Sequence, residues 1–357
     1  MSKLSPRRTA SVVLVLAIAL LVAGCAPAVP QAAPAAEQPT AAPAAPAAEP
    51  TAAPAPAKAK VAMVMAVSCD DSGWGTPGCE GLKEAAAKYD LEYSISEKVE
   101  IADAEAAVRD YAARGYTLII GHGFQYGDPI NIVAPDFPDT AFAIYAGYAE
   151  GANITPIDPK NHENGYLAGI IAGHMSKSKV IGAMGGFDIP TVVRVLEGYC
   201  LGAQSVDPAI KCIYNYPGNW ADVQKGSEAA QAMIDAGADV FFHDASLTGV
   251  GMLQAATAAG KYGIGFGTCQ DAINKDLIVT SALDGIAETM VLTVDLFMEG
   301  KLKGGETLRP QMSDGIFTFC PYSSAVPQAA KDAVEAARAK IVSGELVVEE
   351  ISAPSQQ

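Results

Sequence analysis

Histidine and tryptophan are scarce, with four of the first and two of the second in 357 residues, and aromatic side chains make up only 7%. The four histidines, His122, His162, His174 and His243, form no HExxH pair. There is also no GxSxG elbow and no GxxxxGK[ST] loop, so the common zinc-hydrolase, serine-hydrolase and P-loop chemistries are not encoded. No two cysteines lie at C-x₂₋₄-C spacing, which argues against a structural zinc site. Positive charge is the minority: 24 Lys and Arg stand against 40 Asp and Glu, for a net charge of −16. Such a surface repels a phosphate backbone, so no nucleic-acid partner is expected. Long hydrophobic runs are missing too, except for Ala10 to Ala23, which excludes a polytopic membrane protein.

That one run has a specific setting. Lys3, Arg7 and Arg8 precede it, and Leu21-Val-Ala-Gly-Cys25 closes it. The ending resembles a bacterial lipobox, in which the cysteine is acylated and becomes the new N-terminus. Residues 1–24 are therefore read as a lipoprotein signal peptide and Cys25 as the lipidation site. Residues 26–58 hold 16 Ala and 9 Pro, a composition that favours an extended, coreless tether reaching on the order of 100 Å at ~3.1 Å per residue. The expected location is extracytoplasmic, on the membrane through the lipid alone.

From Lys60 the pattern becomes alternating strands and helices. Buried-strand runs occur at 61–67, 117–121, 142–145, 180–184, 212–215, 239–242 and 263–266, with a further strand-like run at 92–99 and helical stretches between most of them. This spacing predicts βαβ units and parallel sheets covered on both faces. About ten strands exceed one typical sheet, so two doubly wound lobes are expected. Open α/β sheets bind ligands beyond the carboxyl ends of their strands. The informative segments are then Ser68-Cys-Asp-Asp-Ser-Gly-Trp74, His122-Gly-Phe124, Gly186-Phe-Asp-Ile-Pro190, Tyr216-Pro-Gly-Asn-Trp220 and His243-Asp244. Both tryptophans fall in such loops, one in each expected lobe, as two rings that sandwich a flat ligand would.

Taken in order, Asp71-Ser-Gly-Trp74, His162-Glu-Asn-Gly-Tyr-Leu-Ala-Gly169, Gly185-Gly-Phe-Asp-Ile-Pro190 with Arg194, Glu197-Gly-Tyr199 and Gly237-Ala-Asp-Val-Phe-Phe-His243 resemble the basic membrane lipoprotein (Bmp) family. These are purine-nucleoside-receptor-type substrate-binding proteins of ABC importers. The resemblance covers about Lys60 to Glu350 and implies a type I periplasmic-binding fold with three hinge crossings near Asp158, Asp284 and Pro310. It places one lobe at residues 59–157 plus 285–309 and the other at 158–284 plus 310–351, with a tail at 352–357. It implies that Asp71 accepts hydrogen bonds from a purine edge, Trp74 stacks on the base, Trp220 supplies a second ring and Phe124 lines the wall. Asp244 matches a polar contact on the hinge side, and Arg194 opens a helix facing the cleft, unless it only bridges to Asp188 or Glu197. Phe242 and Asp284 complete the expected set.

Two positions depart from the family pattern. Where nucleoside-binding relatives carry an Asp for ribose hydroxyls this chain has Gly267, and where a Lys usually follows the Thr-Ser of the last crossing it has Asp284. A site stripped of its sugar contacts discriminates weakly in favour of that sugar, so a purine base is expected before a nucleoside. Implied partners are a flat heterocycle and an ABC permease, with the protein a monomer and no cofactor or metal. A ligand sensor of the same fold signalling to a membrane receptor is the alternative. Catalysis is not expected, although Cys269 and His243 could meet as a nucleophile pair. Beyond Cys25, six cysteines in an exported chain permit three disulfides. Loop proximity favours Cys69–Cys79 and Cys200–Cys212 and leaves Cys269–Cys320, with buried free thiols as the competing reading.

Overall fold

The computed structural model describes residues 58–354 except Ser72. The expected signal peptide, Cys25, the tether up to residue 57 and the last three residues of the tail lie outside the described residues. Among those described, no helix is long and apolar enough to cross a membrane.

The first sheet is wound from β1 (Lys60–Met65), α1 (Gly75–Tyr89), β2 (Glu92–Ser96), α2 (Ile101–Ala113), β3 (Leu118–His122), α3 (Gly127–Val133), β4 (Ala141–Tyr145) and β5 (Ile154–Ile157). Its strands lie in the order β2-β1-β3-β4-β5, all parallel. The second is wound from α4 (Asn161–Met175), β6 (Val180–Gly185), α5 (Pro190–Val206), β7 (Lys211–Asn215), α6 (Val223–Asp235), β8 (Val240–Asp244), α7 (Ser246–Ala258), β9 (Tyr262–Phe266) and β10 (Ile278–Leu283). The chain then returns to the first lobe with α8 (Ile286–Met298) and finishes in the second with β11 (Thr318–Phe319) and α9 (Gln328–Ser343). The second sheet runs β11-β10-β9-β8-β6-β7, parallel except for β11. β5, β10 and the two-residue β11 are not among the strand runs read from the sequence. Pro156 interrupts the β pattern of β5, which tolerates it because β5 sits at the edge of its sheet.

Strand order reverses between β1 and β3 in one lobe and between β6 and β8 in the other. These switch points are where a doubly wound sheet opens a crevice. The chain passes between the lobes at 158–160, at Asp284–Gly285, and at 309–311, just after Leu308 bridges to Ile157. Through α8 the second crossing is anchored in the first lobe, where Ile286, Met290 and Val294 join the core of Val61, Met63 and Leu82.

Helices are paired by backbone contact. A Cβ at Gly169 of α4 would lie 1.9 Å from the Tyr199 carbonyl oxygen of α5, and one at Gly202 would lie 1.9 Å from that of Tyr166. Gly226 of α6 meets the Thr248 carbonyl in the same way, and Gly81 of α1 meets that of Ala287 on α8. Backbone on both sides leaves nothing to yield. Gly169→Ala is expected to force the α4–α5 pair apart at a cost of about 1–3 kcal/mol, read as a lowered melting temperature. An unchanged melting temperature would show that the contact is soft.

Three disulfides join Cys69 to Cys79, Cys200 to Cys212 and Cys269 to Cys320, with Cα separations of 5.7, 6.0 and 5.8 Å. The first ties the loop after β1 to α1, and the second ties α5 to β7. The third ties the loop after β9 to the segment following β11.

Candidate functional site

The loop between β1 and α1 is built around Asp71. Its Oδ1 accepts from the backbone N–H of Gly73, Gly75 and Thr76 at 2.9–3.1 Å and from the Thr76 hydroxyl at 3.2 Å, while Oδ2 accepts from Gly75 at 2.9 Å. The carboxylate thus satisfies the free N–H groups opening α1, where the helix dipole also favours a negative charge. Most of its acceptor capacity is used within its own loop.

Trp74 follows directly and is half-buried against the core of the first lobe. Its ring stacks on His122 at 4.7 Å and 17°, and meets Tyr145 edge-on at 5.3 Å. His122 ends β3, and its Nε2 donates to the Trp74 carbonyl oxygen at 2.9 Å. Burial holds the imidazole neutral by pushing its pKa down to about 4. Its Nδ1 is then a bare acceptor, buried without a partner. Tyr145, the last residue of β4, is 1% exposed, and its hydroxyl finds no partner of ordinary hydrogen-bond geometry.

On the second lobe, Gly186 follows β6 and the Trp220 ring lies directly on it: a Cβ there would be 2.2 Å from the ring. Gly186 donates its N–H to the Asp244 carbonyl and accepts from Asn219, both at 2.9 Å, which binds three strand-end loops together. Phe187 stands 5.3 Å from Trp220 at 46° and is partly exposed. No ring contact joins Trp74 to Trp220 among the described residues.

Asp244 ends β8, and Asp284 follows β10 at the second crossing. Burial pushes Asp244 up to about 7 and, with the charges of Asp244 and Glu288 added, pushes Asp284 up to about 8. Between them, after β9, lies Gly267 with φ of +82°; a Cβ there would sit 3.4 Å from Asp284 Oδ2. Asp284 Oδ1 accepts from the Ile286 N–H at 3.3 Å. Burial raises the pKa of the Tyr145 hydroxyl, and the nearby charges of Asp284 and Asp244 raise it further.

The remaining expected residues are placed elsewhere. Phe242 is wholly buried in the second lobe's core, stacked on Tyr199 at 4.9 Å and edge-on to Phe266. Alternation along β8 turns it into the sheet's covered face, away from the crevice. Arg194 pairs with Asp158 rather than with Asp188 or Glu197. Asp158 also faces Arg309 at 3.3 Å, and Arg309 holds Glu350 with both guanidinium nitrogens, so Arg194 belongs to an ion-pair cluster on the first and third crossings. Phe124 is 54% exposed in the turn after β3. Cys269 is tied up in its disulfide. His243 donates from Nε2 to Gln270 and accepts at Nδ1 from Ala245, so no Cys–His nucleophile exists. Among the described residues no cluster of three His, Cys, Asp or Glu could hold a metal. His122 and Tyr145 were missing from the expected set although each closes a strand, the position that marks the crevice.

The two acids give stability a sign with pH. Their raised pKa values mean that the folded chain binds protons the unfolded chain has lost, so stability falls as pH rises from about 4 to about 8. His122, His162 and His243, all lowered to about 4, oppose this only up to their ordinary value of 6.5. The melting temperature is therefore expected to fall between pH 6.5 and 8.5, and Asp284→Asn is expected to flatten that fall. A wild-type melting temperature constant over this interval would contradict the burial of the pair.

Comparison with known proteins gives the site its setting. The transcriptional activator protein med of Bacillus subtilis is 28% identical over 270 residues, spanning 75% of this chain and 84% of its own. A purine-binding protein of Brucella abortus is 31% identical over 300 residues, spanning 82% and 84%. Among solved structures, an ABC transporter solute-binding protein from Conexibacter woesei superposes with a TM-score of 0.67 at 26% identity, covering 82% of this chain and 99% of that one. A family model described as ABC transporter substrate-binding protein PnrA-like matches residues 58–352, and the chain belongs to this family, Bmp.

Proposed function

We propose that this substrate-binding protein is a lipid-anchored, extracytoplasmic receptor that captures a purine base, in preference to its nucleoside, and delivers it to an ABC permease. The observation that carries the reading is the convergence at the strand ends. Trp74, His122 and Tyr145 stand on one lobe, Asp244 on the other, and Asp284 on the crossing between them. The purine-binding relative supports the choice of ligand. The basic, apolar and small-residue pattern ending at Cys25 supports the anchor.

In this reading His122 covers one face of Trp74 and the base takes the other. Trp220, with Phe187, offers a second aromatic surface from the opposite lobe. Asp71 acts one step back: by holding the N–H groups of Gly73, Gly75 and Thr76 it fixes the loop that presents Trp74. Asp244 and Asp284 meet the polar edge of the ligand. Gly267 supports a base over a nucleoside, because an aspartate there would need a left-handed backbone and would crowd Asp284 with a like charge.

Stacking a base on an aromatic side chain contributes ~1–3 kcal/mol. Trp74→Ala is therefore expected to weaken purine binding at least tenfold in calorimetric titration, with a matching loss of the fluorescence response. Titrating the purified protein with adenine, guanine, hypoxanthine and their nucleosides tests the ligand class. Tight binding of a base over its nucleoside is the expected result, and unaltered affinity of Trp74→Ala would displace the site from this loop.

A further inference from the structure

The carboxyls of Asp244 and Asp284 lie at the ends of two strands with only β9 between them, and the residue closing that gap is Gly267, which has no side chain to fill it. Asp284 is 6% exposed and accepts hydrogen bonds from backbone N–H groups alone, the one from Ile286 at 3.3 Å, while Asp244 is half-buried. Among the described residues no Lys or Arg forms an ion pair with either acid, and no cation contributes to the pKa of either. The nearby bases are committed elsewhere. Arg194 is held by Asp158, neutral His243 by Gln270, and neutral His122 by the Trp74 carbonyl. The other titratable groups in electrostatic reach of the pair add no positive charge: Glu288 on α8, Tyr216 on the second lobe, and Tyr145 on the first. Tyr145 supplies an independent sign of a missing partner, because its buried hydroxyl has no hydrogen bond of ordinary geometry, only a loose approach to the Thr289 hydroxyl, and it lies within reach of both acids' charge.

Buried carboxyls without a counter-charge are costly unless they keep a proton or meet a cation. The aromatic neighbours, Trp74 and Tyr145, favour the second outcome, since an indole or phenol face attracts positive charge. From this geometry we infer that Asp244 and Asp284 are the counter-charge of the ligand, and that the site selects a heterocycle or amine carrying one positive charge. The inference rests on the proposed location of the ligand but not on the ligand being a purine. Binding then displaces the proton held by the pair in the free protein. A carboxylic acid and a cation go in, a carboxylate–cation pair forms, and one proton leaves to the buffer. Below the raised pKa values of about 7 and about 8, affinity for a cation therefore increases with pH.

The test pairs two probes of base size, neutral 9-methyladenine and cationic 1,9-dimethyladenine, with choline as a cation that is not a purine. Titration at pH 6, 7 and 8, in buffers of different ionisation enthalpy, reads affinity and proton exchange together. Expected are at least tenfold tighter binding of 1,9-dimethyladenine than of 9-methyladenine at pH 7, and proton release on binding. In Asp284→Asn that ratio should fall to near one and the proton release should vanish. Asp244→Asn should reduce both as well, and the melting temperature of each variant reports its folding. Tighter binding of the neutral probe, or proton uptake, overturns the inference while leaving the purine reading intact. Binding of choline but of neither purine overturns the purine reading and keeps the inference. Binding of none of the three overturns the inference.

Discussion

Backbone pressed against backbone is the constraint from which the rest of this molecule follows. Glycines at the crossings of α4 with α5, α6 with α7 and α1 with α8 let the paired helices touch main chain to main chain. Contacts of this kind cannot slide or swell without breaking, so each lobe behaves as a stiff body. The α1–α8 pair matters most for the site. It fixes the helix whose first turn carries the Trp74 loop to the helix that begins at the second crossing, and so holds Trp74 and Asp284 in one frame.

Stiff lobes leave the three crossings as the places where shape can change. The first and third are bound together by charge: Asp158 faces both Arg194 and Arg309, and Arg309 grips Glu350 near the end of the chain. This cluster is partly buried, so its geometry counts for more than that of the exposed pairs scattered over the surface. The second crossing has no such clamp; it is a single Asp-Gly step whose glycine is left-handed. The hinge therefore has two braced strands and one plain one, and the plain one carries Asp284.

Most of the architecture could be read from the sequence because parallel strands covered on both faces leave unbroken apolar runs. Of the three strands that escaped, β5 and β10 have a disturbed pattern, from Pro156 and from the Thr-Ser pair, and β11 is only two residues long. Side-chain roles were less legible. Phe242 looked like a strand-end residue, yet in a strand buried on both faces hydrophobicity does not tell which side chain faces the crevice and which faces the core. Arg194 found a partner 36 positions away, which no local spacing could indicate. Asp71 was recognised as important, but its engagement with Gly73, Gly75 and Thr76 depends on a loop conformation that composition does not specify. Tyr145 and His122 were within reach of the rule that strand ends line the crevice. His122 stands in a strand-end segment singled out by that rule yet was given no role, and Tyr145, as the last residue of its strand run, fell one position short of the loop.

The position of Asp284 on the crossing itself has a mechanical consequence. A point on the hinge axis hardly moves when two rigid bodies rotate about it, so a ligand touching Asp284 makes the same contact whether the cleft is wide or narrow. Such a contact adds equally to both states and does no work of closing. In the proposed site the work falls to the lobe that moves against this frame, through Trp220 with Phe187, which approach a ligand held at Trp74 and Asp284 only as the angle shrinks. Fixed capture at the axis and closing force at the rim are thus assigned to different residues, which separates the chemistry that chooses the cargo from the chemistry that shuts the door on it.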